Sequence, residues 1–238
     1  MKLDILAFGA HPDDVEISAS GTLMKHIATG KKVGIVDLTQ GEMGSRGTID
    51  TRYAEASAAA EIMGVHTRVN LQMADSLFEI NEANKRLIVE QIRKFQPDIV
   101  LANAINDRHP DHGRGSQLIS EACFLAGLVK YKTEIDGDAQ EAYRPKAVYH
   151  YIQDHYIKPD FVVDVTDFFD RKMKSIQAYK TQFYNPESRE PETPISGKGF
   201  LDFIEARLIE FGRSIGVKYA EGFTVERTPG VKDLTDLD

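Results

Sequence analysis

One cysteine in 238 residues means that no internal disulfide can hold this chain together. Stability has to come from burial, and a chain of this length can bury roughly 70% of the surface that its unfolded form exposes, enough for a single well-cored domain. Apolar neighbours at helical spacing (Ile119, Phe124, Leu125 and Leu128) put Cys123 in the core and not among nucleophiles or ligands. Basic charge is also scarce. The formal net charge is −8, with no long run of like charges, which argues against nucleic acid as a partner because neutralising phosphates needs a basic face. No apolar run reaches the roughly 18 residues of a membrane span, and the N-terminus lacks the charged, apolar and small-residue order of a signal peptide. The expectation is a cytoplasmic protein that does not engage membranes. The first strand-to-helix turn has no Gly-x-Gly-x-x-Gly, which weakens a dinucleotide-binding reading, and no internal repeat, low-complexity tract or domain linker is visible.

What is present is an alternation of apolar runs and helical periodicities. Residues 3–10 read as a buried strand, 15–29 as a helix stopped by Gly30, 33–38 as a strand and 52–63 as a helix ended by Gly64. Strand 67–71, helix 82–95, strand 98–102 just after Pro97, and helix 115–129 continue the pattern. Beyond that, 130–144 reads as a loop, 147–152 and 161–165 as strands, 166–180 and 200–211 as helices, 185–198 as a long surface loop of the kind that covers a site, and 235–238 as an acidic tail. The fold class predicted is α/β: a Rossmann-like open, mainly parallel sheet with helices on both faces in one domain, with 1–130 as the α/β core, 131–228 carrying substrate-covering loops and 229–238 as tail.

Two short segments carry the chemistry. Ala10-His11-Pro12-Asp13-Asp14 follows the first strand, and His109-Pro110-Asp111-His112 follows strand 98–102 by a short loop. In an open parallel sheet both fall at the carboxyl ends of strands, where ligands bind. A catalytic zinc takes three ligands from His, Asp and Glu and keeps a position open, and His11, Asp14 and His112 supply such a set. Asp13 is left over as general base for a water made acidic by the metal. His109, oriented by Asp111, is expected to stay protonated and to stabilise an oxyanion or protonate a leaving amine. The plain alternative for Asp13 or Asp14 is a helix N-cap. His26, His66, His150 and His155 read as surface or packing residues. The same ligands serve Zn2+ and Fe2+, so both stay open.

At these residues the chain resembles the LmbE/PIG-L family of zinc-dependent de-N-acetylases, whose signatures are Ala-His-Pro-Asp-Asp and a downstream His-x-Asp-His. The resemblance extends over Thr39-Gln40-Gly41-Glu42, Arg46-Gly47-Thr48, Arg52 with Glu55-Ala56, and Tyr219-Ala220-Glu221-Gly222-Phe223. It implies a cytoplasmic, zinc-dependent N-deacetylase with a small amino-sugar substrate and a homo-oligomeric (trimeric or hexameric) assembly. Segments 107–113, 163–166 and 196–198 are most similar to the deacetylases of bacillithiol biosynthesis, which implies N-acetyl-α-D-glucosaminyl L-malate as substrate. On this reading Arg52 holds an anionic or hydroxyl-rich part of the substrate, Asp75 accepts sugar hydroxyls, and Arg46 and Arg108 face a malyl carboxylate. Deacetylation of another N-acetylglucosaminide and a non-hydrolytic metal-binding module are the alternatives.

Overall fold

The computed structural model describes residues 1–236; Leu237 and Asp238, at the end of the expected tail, lie outside the described residues. Seven strands form one sheet: β1 (Ile5–Gly9), β2 (Val33–Thr39), β3 (Thr67–Met73), β4 (Ile99–Ala102), β7 (Ala147–Tyr151), β8 (Phe161–Asp164) and β9 (Ala220–Val225), in the order β3-β2-β1-β4-β7-β9-β8. β3, β2, β1, β4 and β7 run parallel, and β9 pairs antiparallel with both β7 and β8. The α/β expectation is met. Three features were not foreseen: β9 itself, a two-stranded hairpin of β5 (Glu134–Ile135) and β6 (Asp138–Ala139) in the segment read as loop, and a helical start earlier than 115.

β1 and β2 are buried along their whole length, which is why both are mainly apolar and do not alternate; the exceptions in β2 are Thr39 and Asp37, whose carboxylate accepts from Arg68. α3 (Glu82–Phe95) and α4 (Pro110–Ala126) cover one face through Phe8, Leu38, Ile88, Ile92, Leu118 and Cys123. α1 (Asp14–Ala28) packs on the other through Val15, Leu23 and Met24. α2 (Ile49–Met63), α5 (Phe169–Gln177) and α6 (Gly199–Arg213) complete that layer around Ala59, Ile176, Tyr179 and Leu208. Each fully buried large apolar side chain contributes roughly 1.5–3 kcal/mol relative to exposure. Cys123 is buried, and burial pushes its thiol well above the usual range.

Helix ends follow local chemistry. α2 begins three residues earlier than expected because Thr48 and Thr51 form a capping box, and it ends at Gly64 in the left-handed region. α4 starts at Pro110, with His109 as its N-cap. The helix read at 166–180 is a short 3-10 turn followed by the nine residues of α5. Among the described residues no helix is long and apolar enough to cross a membrane.

The chain winds from β1 outward through β2 to β3, then returns to place β4 on the other side of β1. That reversal opens a crevice between the carboxyl ends of β1 and β4, the place where open α/β sheets hold ligands.

Candidate active site

Both histidine segments enter that crevice. Gly9 makes the turn after β1 possible, since a Cβ there would stand 3.0 Å from the His11 carbonyl oxygen and 3.2 Å from the Asp14 Cβ. Asp13 occupies the N-cap position of α1 with φ of 124°, a conformation that L-residues rarely adopt, and its carboxylate makes no capping bond. It accepts instead from the Arg52 Nη1 at 3.2 Å.

His11, Asp14 and His112 come together. The Asp14 carboxylate lies 3.6 Å from the His11 Nδ1 and 3.0 Å from the His112 Nε2. The outer nitrogen of each imidazole is held by acid: the His112 Nδ1 lies 2.5 Å from the Asp107 Oδ2, and the His11 Nε2 lies 3.1 Å from Asp75 and 3.3 Å from Asp111. Carboxylates on those outer nitrogens place the neutral-state protons there and turn the His11 Nδ1 and His112 Nε2 lone pairs toward Asp14, as imidazoles that ligate metal require. The donor set is two nitrogens and an oxygen, which fits zinc or ferrous iron. Donor atoms of His11, His109 and His112 lie within 4.8 Å of one another, as do those of His11, Asp75 and Asp111, whereas Asp14 meets His11 through Oδ2 and His112 through Oδ1. The second grouping is the hydrogen-bonded cluster just described. In the first, no carboxylate orients His109, which makes it a poorer ligand than its two neighbours.

The expected His109–Asp111 pair does not form. The Asp111 carboxylate binds His11, Arg114 and the Ser76 N–H, while the Asp111 backbone N–H donates to the His109 Nδ1 at 3.3 Å as part of the α4 cap. Burial and the positive charges of His11 and His112 push the His109 pKa down, against the charged state expected for it. With Nδ1 accepting, its proton sits on Nε2. Asp13 moves the other way. Burial, aided by the charge of Asp14 and opposed by Arg52, pushes its carboxyl up to about 6. Burial opposes a charged His112, but Asp14 and Asp107 prevail and raise it to about 9.

A cavity of about 280 Å³ opens over these groups. Its lining includes Asp13, Arg52, His109 and Asp75 together with Phe200, Phe203 and Leu208 from α6. Arg108 is on the wall, bound to Asp154. Arg46 is not: its guanidinium donates to the Thr181 and Pro191 carbonyls and the Ser188 hydroxyl, tying down the segment between α5 and α6. Its positive charge meets carbonyl dipoles of its own chain, and it does not line the cavity where a malyl carboxylate would sit. Asp75 reaches the cavity, although its oxygens already accept from His11, Ser76 and the Met43 N–H.

Sequence reasoning missed Asp107, Asn103 and Gln153. Asp107 stands five residues before His112 in a segment already singled out, and Asn103 directly follows β4; Gln153 follows β7 with no local signal. Glu16 was also passed over. It is fully buried, and its Oε1 accepts from Arg68 at 2.5 Å and from the Tyr179 hydroxyl at 3.0 Å.

The description PIG-L, GlcNAc-PI de-N-acetylase, matches residues 6–123, which span both histidine segments. A solved structure of the conserved protein TT1542 from Thermus thermophilus is 34% identical, with a TM-score of 0.86 over 98% of each chain. The chain belongs to the PIG-L family. Among family relatives, the diacetylchitobiose deacetylase of Thermococcus kodakarensis is 28% identical over 95% of this chain and 84% of its own. The 4-oxalmesaconate hydratase of Pseudomonas putida is 26% identical over 74% and 73%. A probable N-acetyl-α-D-glucosaminyl L-malate deacetylase 2 of Bacillus anthracis is 23% identical over 75% and 81%. The family match ends at residue 123, whereas the likeness to the Thermococcus and Thermus proteins continues through the β7–β9 half of the chain.

Proposed function

We propose that this protein is a cytoplasmic, metal-dependent N-deacetylase of N-acetylglucosaminides, acting on N-acetyl-α-D-glucosaminyl L-malate as a homo-oligomer. The observation that carries the reading is Asp13: a strained, buried carboxylate with a pKa near 6, beside the three convergent donors His11, Asp14 and His112. A divalent cation held there would polarise the acetamide carbonyl and make a water acidic enough to attack near neutral pH.

This chain's residues supply the remaining steps. Asp13 accepts the proton of the attacking water, steered by the Arg52 guanidinium, and delivers it to the departing amine nitrogen. His109, whose Nδ1 accepts from the Asp111 N–H, donates its Nε2–H to the oxyanion, a contribution typically worth about 3 kcal/mol of barrier. Arg108, on the cavity wall, supports an anionic aglycone, since a guanidinium fork matches a carboxylate.

Acetate and amine release from the malyl glycoside, diacetylchitobiose and free N-acetylglucosamine, with metal-stripped protein as control, tests the reading. Metal-dependent release that is fastest with the malyl compound is expected; equal rates on all three would discard the malyl preference and keep the deacetylase. The hydratase among the relatives makes amine release the decisive readout, because hydration consumes substrate without forming an amine.

A further inference from the structure

Asp14 is held by more than the two imidazoles. Asn103, at the carboxyl end of β4, donates its Nδ2 to the Asp14 Oδ2 at 2.9 Å, and Gln153, after β7, donates its Nε2 to the Asp14 Oδ1 at 3.0 Å. Neither amide has freedom to turn over. The Ala10 N–H donates to the Asn103 Oδ1 at 2.9 Å, while the Ala104 N–H and the Asn103 Nδ2 donate to the Gln153 Oε1 at 3.1 and 2.9 Å. With both carbonyl oxygens taken by N–H groups, the NH2 groups must face the carboxylate. Both side chains are buried.

The chemical type matters as much as the geometry. A lysine or arginine at either position would repel a cation, and a carboxylate would become a fourth ligand and close the open coordination position. An amide restrains each oxygen of Asp14 without adding charge.

We propose that Asn103 and Gln153 are positioning residues that set the divalent-metal affinity of the centre by clamping both oxygens of Asp14. This rests on the metal reading above. The test needs no substrate. Zinc affinity of metal-stripped protein is measured by competition with a chromophoric chelator, and the cobalt(II) absorption spectrum reports the geometry, for wild type, Gln153→Met, Asn103→Leu and the control Ser116→Ala. Ser116 is buried and its hydroxyl is bound to the His150 Nδ1 and not to the Asp14 carboxylate.

Loss of an outer hydrogen bond to a metal ligand typically weakens binding about 10–100-fold. That loss is expected in Gln153→Met and Asn103→Leu, with an altered cobalt spectrum and with far-ultraviolet circular dichroism unchanged, whereas Ser116→Ala binds as wild type does. Should Asn103→Leu not fold, Gln153→Met carries the test, because Gln153 lies on the cavity wall. Wild-type affinity and spectrum in Gln153→Met overturn the inference and leave the metal reading standing. No zinc or cobalt uptake by wild type overturns both.

Discussion

Asp13 has two competing demands on it. As a base it must be charged, yet burial resists the charge and raises its pKa to about 6, with Arg52 as the main opposing influence. Because the deprotonated form is the active one, kcat/KM is expected to fall about tenfold per pH unit below 6. Arg52→Gln removes the stabilising charge, so a pH–rate profile should show this limb moved to higher pH; a limb that stays in place refutes the coupling. Asp13→Asn should lower turnover by about 10²–10⁴-fold, with bound metal, read by atomic absorption, unchanged. His112 has the opposite sign. Its pKa of about 9 means that the metal-free protein holds a proton that a metal must displace. Metal affinity should therefore rise with pH toward 9, as chelator competition at several pH values would show, and flat affinity would reject the assignment of His112 as ligand.

A buried ion pair acts on a whole element, α1. The Lys172 Nζ donates to the Glu16 and Ile17 carbonyls and to the Glu221 Oε1, and the Glu221 carboxylate accepts from the N–H groups of Gly21 and Thr22. α5 and β9 are thereby bound to the middle of the helix that begins at Asp14. Lys172 and Glu221 are essentially without solvent contact. Lys172→Met leaves an uncompensated buried carboxylate and should destabilise the fold by about 3–5 kcal/mol, measurable by urea denaturation; Lys172→Met with Glu221→Leu should cost less than Lys172→Met alone. The α2 side depends on a missing side chain. A Cβ on Gly41, whose φ is 69°, would stand 2.9 Å from the Arg52 Nη2. Gly41→Ala should displace Arg52 and cut activity while metal binding persists.

At the scale of the molecule, the site is a product of chain reversal. β1 and β4 bring His11 and His112 together across a hundred residues, and β7, far along the chain, adds Gln153. The segment between α5 and α6 forms part of the cavity wall, and Arg46 anchors it. Arg46→Ala is expected to raise KM, keep kcat within about twofold and speed proteolysis in this segment. Unaltered KM would show that the anchor is irrelevant to substrate. The parallel core was legible chiefly from β1 and β4, whose residues form unbroken apolar runs as central strands do. β9 was not, because its Gly222 admits the Phe211 ring and its Glu221 serves the buried pair, so it lacks the apolar continuity of a central strand. Residue type and placement after strands were enough to single out His11, Asp14 and His112, whose side chains meet in the fold, and the His109–Asp111 pair was misread because adjacency in sequence does not decide which way a carboxylate points.

By itself the sequence determined the α/β class, the two chemical segments and the burial of Cys123, since local periodicity and residue chemistry act over a few positions at a time. Only the tertiary structure decided which atoms meet. It turned Asp111 to His11, Arg46 to its own backbone and two distant amides to Asp14, because hydrogen-bond partners and pKa shifts depend on distances of a few ångströms that are set when the sheet closes.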